Sequence, residues 1–166
     1  MPEKGDDRER ALRALDNALA DAARYLVDVD PDMHGGHQTA REVLCHFVFW
    51  HREYTVIVQS LLDNRQPALR DGTYAQLNAE ATREFGGRTM TDLACLLLDF
   101  QGTFRRQLSS LPSWSIDFPL KQDSRQKSVA ERVPVIENHL RDHIRRLRRA
   151  GRLGEAWVKA YYPDEE

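Results

Sequence analysis

The sequence lacks any long hydrophobic run and has no excess of charge of one sign. No apolar stretch approaches the roughly 20 residues that a bilayer-spanning helix needs, so we expect no membrane span. Lys and Arg total 24 against 26 Asp and Glu, a formal net charge of −2, which provides no overall field for nucleic acid or an anionic membrane. The opening MPEKGDDRER is polar and acidic, unlike a secretory signal, and predicts a cytoplasmic protein.

Cysteine is scarce as well. The two cysteines, Cys45 and Cys95, lie in apolar helical segments, a pattern typical of reduced core thiols rather than of a disulfide. There is no internal repeat and no low-complexity tract. With 166 residues, 41% hydrophobic and 30% charged, the chain can bury one sizeable core, which predicts a single globular domain over residues 1–166.

The sequence does contain strong helical periodicity, and it has no alternating strand pattern of useful length. Apolar stripes at three- and four-residue steps predict long helices near 7–27, 39–61, 91–111 and 128–150, and a short one near 73–85. Thr39 and Glu42 fit a capping box at the start of the second. The sequence therefore predicts an all-α fold, a four-helix bundle with a long crossover between the second and third long helices.

Residues 137–149 read ENHLRDHIRRLRR and place two histidines one turn apart. His139 and His143 project about 40° apart beside the apolar stripe of their helix, and His46 flanks the stripe of the second helix. Three neutral imidazoles would suit a divalent ion such as zinc, nickel or iron and would leave coordination positions open. Alternatively, all three are boundary histidines satisfied by hydrogen bonds.

Other polar residues near the histidines have two interpretations each. Glu42 and Glu53 lie on the same side of the second helix as His46, so either could orient its imidazole or act as a general base. A capping or solvated glutamate is the alternative. His51, roughly 140° from His46, is expected at the surface. The arginines after His143 could receive an anionic substrate or could simply compensate the helix dipole from a solvated face.

Two segments carry a resemblance to a known superfamily. TAREVLCHFVFWHREY resembles the second helix of DinB-like four-helix-bundle proteins, and ENHLRDH resembles their last helix. The resemblance implies that His46, His139 and His143 form a three-histidine metal site. A third segment, which contains Asn78, is similar to the middle region of the ClbS/DfsB branch of that superfamily. It reads YAQLNAEATREFGGRTMTDLACLLLDFQGTFRRQLSSLP. The similarity covers roughly residues 8–150.

The resemblance implies a metal-dependent hydrolase or thiol transferase that acts on a small reactive molecule, as in detoxification or resistance. Its cofactors would be a divalent metal (zinc, nickel or iron) and, for thiol-using members, a low-molecular-weight thiol. Glu53 and Tyr54 are the candidate catalytic side chains. Trp50, Asn78 and Trp114 are the candidates for binding a cofactor or substrate.

The alternative function is a metal-free bundle that binds or sequesters an apolar small molecule between Trp50, Tyr54 and Trp114. Nucleic-acid binding would rest only on RRLRRAGR and is not expected, given the balanced net charge. A homodimer is consistent with the apolar first helix and with a partly apolar C-terminal segment that contains Trp157 and Tyr161.

Overall fold

A computed structural model of the chain describes residues 4–154. These residues form five α-helices and, within the same range, isolated β-bridges but no strand. The helices are α1 (Lys4–Asp28), α2 (Ala40–Leu62), α3 (Tyr74–Phe85), α4 (Met90–Ser110) and α5 (Val129–Leu153). The prediction of an all-α fold is confirmed. The C-terminal segment with Trp157 and Tyr161 lies outside the described residues.

Capping boxes fix where three of the helices begin. The Thr39 hydroxyl accepts a hydrogen bond from the backbone N–H of Glu42, and the Glu42 carboxylate accepts one from the backbone N–H of Thr39. The predicted capping box is therefore confirmed. The same reciprocal arrangement starts α3 and α5, at Thr73 with Gln76 and at Ser128 with Glu131. Each pair satisfies two backbone donors that a helix start leaves unpaired.

Helix α2 occupies the centre of the packing. It lies against α4 and carries α3, while α1 packs on α4 and α5. One hydrophobic cluster draws buried side chains from all five helices and from the α4–α5 connection, which contributes Trp114 and Phe118. Helix α2 is consequently covered on more than one side. Across residues 4–154, no helix has both the length and the apolar character needed to cross a membrane.

The coverage of α2 overturns one expectation from the sequence. His51 was expected at the surface, and this is wrong: only 2% of it is exposed. Its ring lies 5.2 Å from that of Tyr54 and 6.2 Å from that of Phe104 on α4. The periodicity of α2 identifies its apolar stripe, but α4 also buries the neighbouring edge of the helix that carries His51.

The two cysteines have different environments. Both are free thiols, as predicted; Cys45 is buried in α2, but Cys95 is exposed on α4. The expectation of a core position was wrong for Cys95. Leu93 and Leu97, two residues to either side, are buried and therefore turn Cys95 towards the solvent.

Helix α5 continues through Pro134, which lies in its second turn. Proline removes one backbone donor and usually kinks a helix interior. The rings of His139 and His143 nevertheless remain neighbours, with centroids 4.5 Å apart. The proline therefore does not separate the two histidines, which lie about one and a half and two and a half turns further along the helix.

Candidate metal centre

Three histidines from two helices meet at the edge of the core. His46 on α2 and His139 on α5 are 93 residues apart in the sequence, yet their Nε2 atoms are 2.7 Å apart. The His46 ring centroid lies 5.0 Å from that of His139 and 5.3 Å from that of His143. One ring nitrogen from each of the three lies within 4.8 Å of the other two. The three histidines lie close together, as predicted, and could bind a metal ion.

Asn78 on α3 determines which nitrogen of His46 carries the proton. Its Oδ1 lies 2.6 Å from Nδ1 of His46 and also accepts the indole N–H of Trp50 at 3.2 Å. Because an indole N–H can only donate, the atom shared by both partners must be the amide oxygen. His46 Nδ1 therefore donates its proton to Asn78, and Nε2 presents a lone pair towards His139.

The residue that orients His46 comes from α3 and not from α2. Of the two interpretations that the sequence allowed for Glu42 and Glu53, the orienting acceptor is neither of them but Asn78, and the alternative of a capping glutamate is confirmed for Glu42. Glu42 uses its carboxylate to cap α2, with Oε2 2.7 Å from the Thr39 nitrogen. Helical periodicity within α2 could not reveal this, because the acceptor comes from a separate helix laid across α2.

The centre is closed towards the core and open towards the solvent. His46 is only 6% exposed, His143 is partly buried and His139 is exposed. The ring of Phe47 forms an apolar wall, 6.3 Å from that of His139 and 5.5 Å from that of His143. Both histidines lie beside the apolar stripe of α5, but His139 is exposed there while its Nε2 faces His46. Its exposure gives an ion or a small molecule a route to the nitrogens.

The environment keeps two of the imidazoles neutral. Burial lowers the pKa of His46 to about 3, and the neighbouring His139 acts in the same direction, against the hydrogen bond with Asn78. Burial, followed by the charges of His139, His46 and Arg146, lowers the pKa of His143 well below its usual value. Since neutral imidazole is the form that binds metals, His46 and His143 are ready to act as ligands at neutral pH.

The donor set fits a borderline divalent ion. The cluster offers three imidazole nitrogens, with no carboxylate or thiolate among them, a combination that suits zinc, nickel or iron. Two ring nitrogens 2.7 Å apart require either a hydrogen between them or a cation bound to both from one side of the line that joins them, because two lone pairs at that distance repel. His46 cannot supply that hydrogen, since its proton is on Nδ1.

Glu53, a candidate catalytic residue, belongs to an ion-pair cluster. It is buried, and its Oε1 lies 3.1 Å from Nη2 of Arg70 and 3.4 Å from Nη2 of Arg52. Arg70 also binds Glu80 at 2.8 Å, and Arg52 binds Glu84. These pairs attach α3 and the connection before it to α2. A catalytic role for Glu53 stays a prediction.

Tyr54 and Trp50 belong to an aromatic group next to the histidines. Tyr54 is buried, and burial raises the pKa of its hydroxyl, which therefore stays protonated at neutral pH. The Trp50 ring lies 6.3 Å from that of Tyr54 and 5.8 Å from that of Tyr74. Tyr74 is 46% exposed, so this group reaches the surface. The sequence reasoning did not single out Tyr74, although it directly follows the helix-capping Thr73.

Trp114, the remaining candidate for binding a cofactor or substrate, contacts residues outside the group formed by Trp50, Tyr54 and Tyr74. It lies in the α4–α5 connection, where its indole N–H donates to the carbonyl of Leu108 at 2.9 Å. The guanidinium of Arg8 stacks on its ring at 5.6 Å. These contacts join the N-terminal helix to the end of α4. A binding role for Trp114 stays a prediction.

Comparisons with known proteins add no family assignment. No family model, no curated protein and no solved structure matches the chain. The resemblance to DinB-like proteins therefore rests on the sequence segments that carry it. The chemistry of the centre has to be argued from the histidines, Asn78 and the surrounding side chains.

Proposed function

We propose that this protein is a metal-dependent enzyme in which His46, His139 and His143 hold one divalent ion. It would act as a hydrolase or a thiol transferase on a small reactive molecule, with a low-molecular-weight thiol as co-substrate in the second case. We propose further that the four long helices form a DinB-like four-helix bundle, with α3 in the crossover between α2 and α4. The helix order and the three histidines support this assignment.

The contact between His46 and His139 carries the proposal. A boundary histidine is satisfied when each ring nitrogen has an ordinary partner. The proton of His46 is committed to Asn78, and its buried Nε2 faces a second ring nitrogen at 2.7 Å, with the His143 ring close by. A proton on His139 would satisfy this pair alone, and it is the third ring nitrogen, that of His143, within 4.8 Å of the other two that favours a shared cation.

When bound, a divalent ion would supply Lewis acidity that lowers the pKa of a water or thiol and polarises an electrophile. The chain itself supplies orientation and partial exclusion of water. Asn78 fixes the His46 ring, Phe47 keeps the inner side apolar, and exposed His139 leaves the outer side open. The half-exposed ring of Tyr74, which packs on buried Trp50, would offer a nearby surface for the organic part of a substrate.

The first test is the metal content per chain, measured by plasma mass spectrometry on untagged protein purified without chelator. We expect about one zinc, nickel or iron ion per chain, and loss of that ion in His139→Ala. His37→Ala removes an exposed histidine of the α1–α2 connection and serves as the matched control, which should keep its metal.

Absence of metal, with none taken up during dialysis against divalent ions, would contradict the proposed enzyme. A metal-free bundle that binds an apolar molecule near Trp50 and Tyr54 would then be the better explanation. If metal is present, hydrolase and thiol-transferase substrates should be screened with the wild type and His139→Ala. Activity that is equal in the two proteins would exclude the centre from the reaction.

A further inference from the structure

A groove of about 360 Å³ lies between α1 and α5, away from the histidines. Small side chains, Ala18 and Ala22, form its wall on α1, and Ile144 lies at its base on α5. Four arginines of α5 line the same space: Arg141, Arg145, Arg148 and Arg152. A cavity of this size can hold a small organic or inorganic ligand.

The four arginines share one face of α5 because they recur at steps of four, three and four residues. At 100° per residue, each lies between about 120° and 180° around the helix from His139 and His143. The groove and the metal centre therefore use different faces of one helix. The sequence motif RRLRR divides accordingly: Arg145 and Arg148 line the groove, while the charge of Arg146 acts on His143.

The carboxylates of residues 4–154 compensate the positive charge in the groove only in part. Its one acidic lining residue, Asp21, is exposed and pairs with Arg24 at 3.5 Å. Arg141 pairs with Glu137 at 2.9 Å, and Arg145 pairs with Asp142 at 3.1 Å through an exposed contact, a kind that contributes little. Arg148 stacks on Tyr25 at 5.2 Å. Arg148 and Arg152 form no ion pair with any residue in the range 4–154.

Compensation of the helix dipole explains only part of this arrangement. The dipole acts within the last turn, where Arg152 lies, whereas Arg141 is about three turns from the end of α5. Dipole compensation also gives no reason for four guanidinium groups to border one cavity opposite two buried alanines. Guanidinium forks match phosphate oxygens in two-pronged hydrogen bonds, and several together suit a ligand that carries several linked negative charges.

We infer that the groove between α1 and α5 binds an oligophosphate group, meaning two or more linked phosphates, free or as part of a nucleotide. A single phosphate could not engage arginines spread over about three turns of helix. The charges that would bind it belong to permanently protonated side chains, so binding persists across the neutral pH range. This site is independent of the metal centre.

Isothermal titration of the full chain with tripolyphosphate, at constant ionic strength, tests the inference. We expect one site per chain and a Kd at least about tenfold weaker in the double variant Arg145→Gln/Arg148→Gln. The matched control, Arg83→Gln/Arg106→Gln, removes the same charge from exposed positions on α3 and α4 and should stay within about twofold of wild type. Thermal unfolding of both variants checks that they fold.

Because polyphosphates chelate divalent ions, the titration is repeated with His139→Ala, where binding should be unchanged. Equal weakening in both double variants, or loss of binding in His139→Ala, would overturn the inference. The inference would also be overturned if AMP bound as tightly as tripolyphosphate, or if duplex DNA bound more tightly than tripolyphosphate. If ATP binds more tightly than tripolyphosphate, the inference is supported and the phosphates come from a nucleotide. If tripolyphosphate binds more tightly than ATP, the inference is supported and the source is inorganic.

Discussion

Nδ1 of His46 lies 2.6 Å from Oδ1 of Asn78, a contact that joins α2 to α3. Acceptors behind a metal-binding histidine hold the ring and fix its tautomer, and their loss typically weakens metal binding 10- to 100-fold. We therefore expect about that loss of zinc affinity in Asn78→Ala. Asn78→Asp keeps an acceptor oxygen and should retain tight binding. Zinc affinity is measured by competition with a chromophoric chelator.

Asn17→Ala, which removes an exposed amide from α1, is the control for this series. Zinc binding as tight as in the wild type in both the Ala and the Asp variant at position 78 would count against the orienting role of the amide oxygen. Weak binding in both would instead indicate that the amide N–H₂ group is required.

Substitutions at Glu53 can distinguish a structural role of this residue from a catalytic one. Glu53→Gln removes the charge that binds Arg70 and Arg52, and we expect a loss of unfolding free energy of about 2 kcal/mol, because the carboxylate is buried while Arg70 is partly exposed. Urea unfolding of Glu53→Gln, Arg70→Gln and the double variant gives the coupling energy. Zinc content should not change.

A catalytic base at position 53 would give a different pattern. Turnover would then fall far more in Glu53→Gln than in Arg70→Gln, although the two variants lose similar stability. Parallel losses of stability and turnover in the two single variants would assign Glu53 to holding α3 in place.

We expect the buried histidines to make the fold sensitive to acid. Burial lowers the pKa of His51 to about 4, opposed by its hydrogen bond to the Phe47 carbonyl, whereas an unfolded histidine titrates near 6.5. Between these values the unfolded chain binds a proton that the folded chain does not, so the unfolding free energy decreases as the pH falls from about 6.5 to about 4. His51 contributes at most about 3 kcal/mol to this decrease.

His51→Phe tests the contribution, because phenylalanine keeps a ring against Tyr54 and Phe104 but cannot bind a proton. Unfolding free energies are measured by urea titration at several pH values, in chelator so that metal binding does not interfere. The decrease between pH 6.5 and 4 should be smaller in the variant than in the wild type. An identical decrease would show that His51 is not responsible for the acid sensitivity.

The α1–α2 connection approaches α5 closely at Gly35. A Cβ atom there would lie 2.7 Å from Cδ2 of Leu147 and 3.1 Å from its Cα. We expect Gly35→Ala to lower the unfolding free energy by about 1–3 kcal/mol, since the loop or the helix would have to move. Gly87→Ala, where a Cβ meets nothing within 4 Å, should be neutral or slightly stabilising.

Thermal and urea unfolding compare the two alanine variants. Adding Leu147→Ala to Gly35→Ala should cost less than the sum of the single effects, because the smaller side chain relieves the clash. Additive effects in the double variant would indicate that Gly35 is needed for some reason other than its approach to Leu147.

Local patterns allowed much of this arrangement to be predicted. The stripe periodicity located all five helices, and the Thr39–Glu42 pair identified a helix start. His139 and His143 could be paired because a spacing of four residues fixes their relation within one helix. Their meeting with His46 was expected from the position of each histidine beside an apolar stripe and from the family resemblance.

The features that the sequence did not predict depend on how the helices pack against one another. The burial of His51 requires α4 on the second side of α2, and the contact between Asn78 and His46 requires α3 to lie across α2. Neither follows from periodicity. Similarly, the arginine run could not be divided between two faces until the rotation of α5 relative to α1 was known.

Along the chain, the connection between α2 and α3 separates His46 from the other residues of the metal centre. Its residues 63–66 are exposed, His46 lies before them, and Asn78, His139 and His143 all lie after them. A protein cut at this point therefore has no complete centre in either fragment. Metal binding by the mixture would report directly on reassembly, so this loop is a natural place to build a split version whose signal appears only when the two fragments recombine.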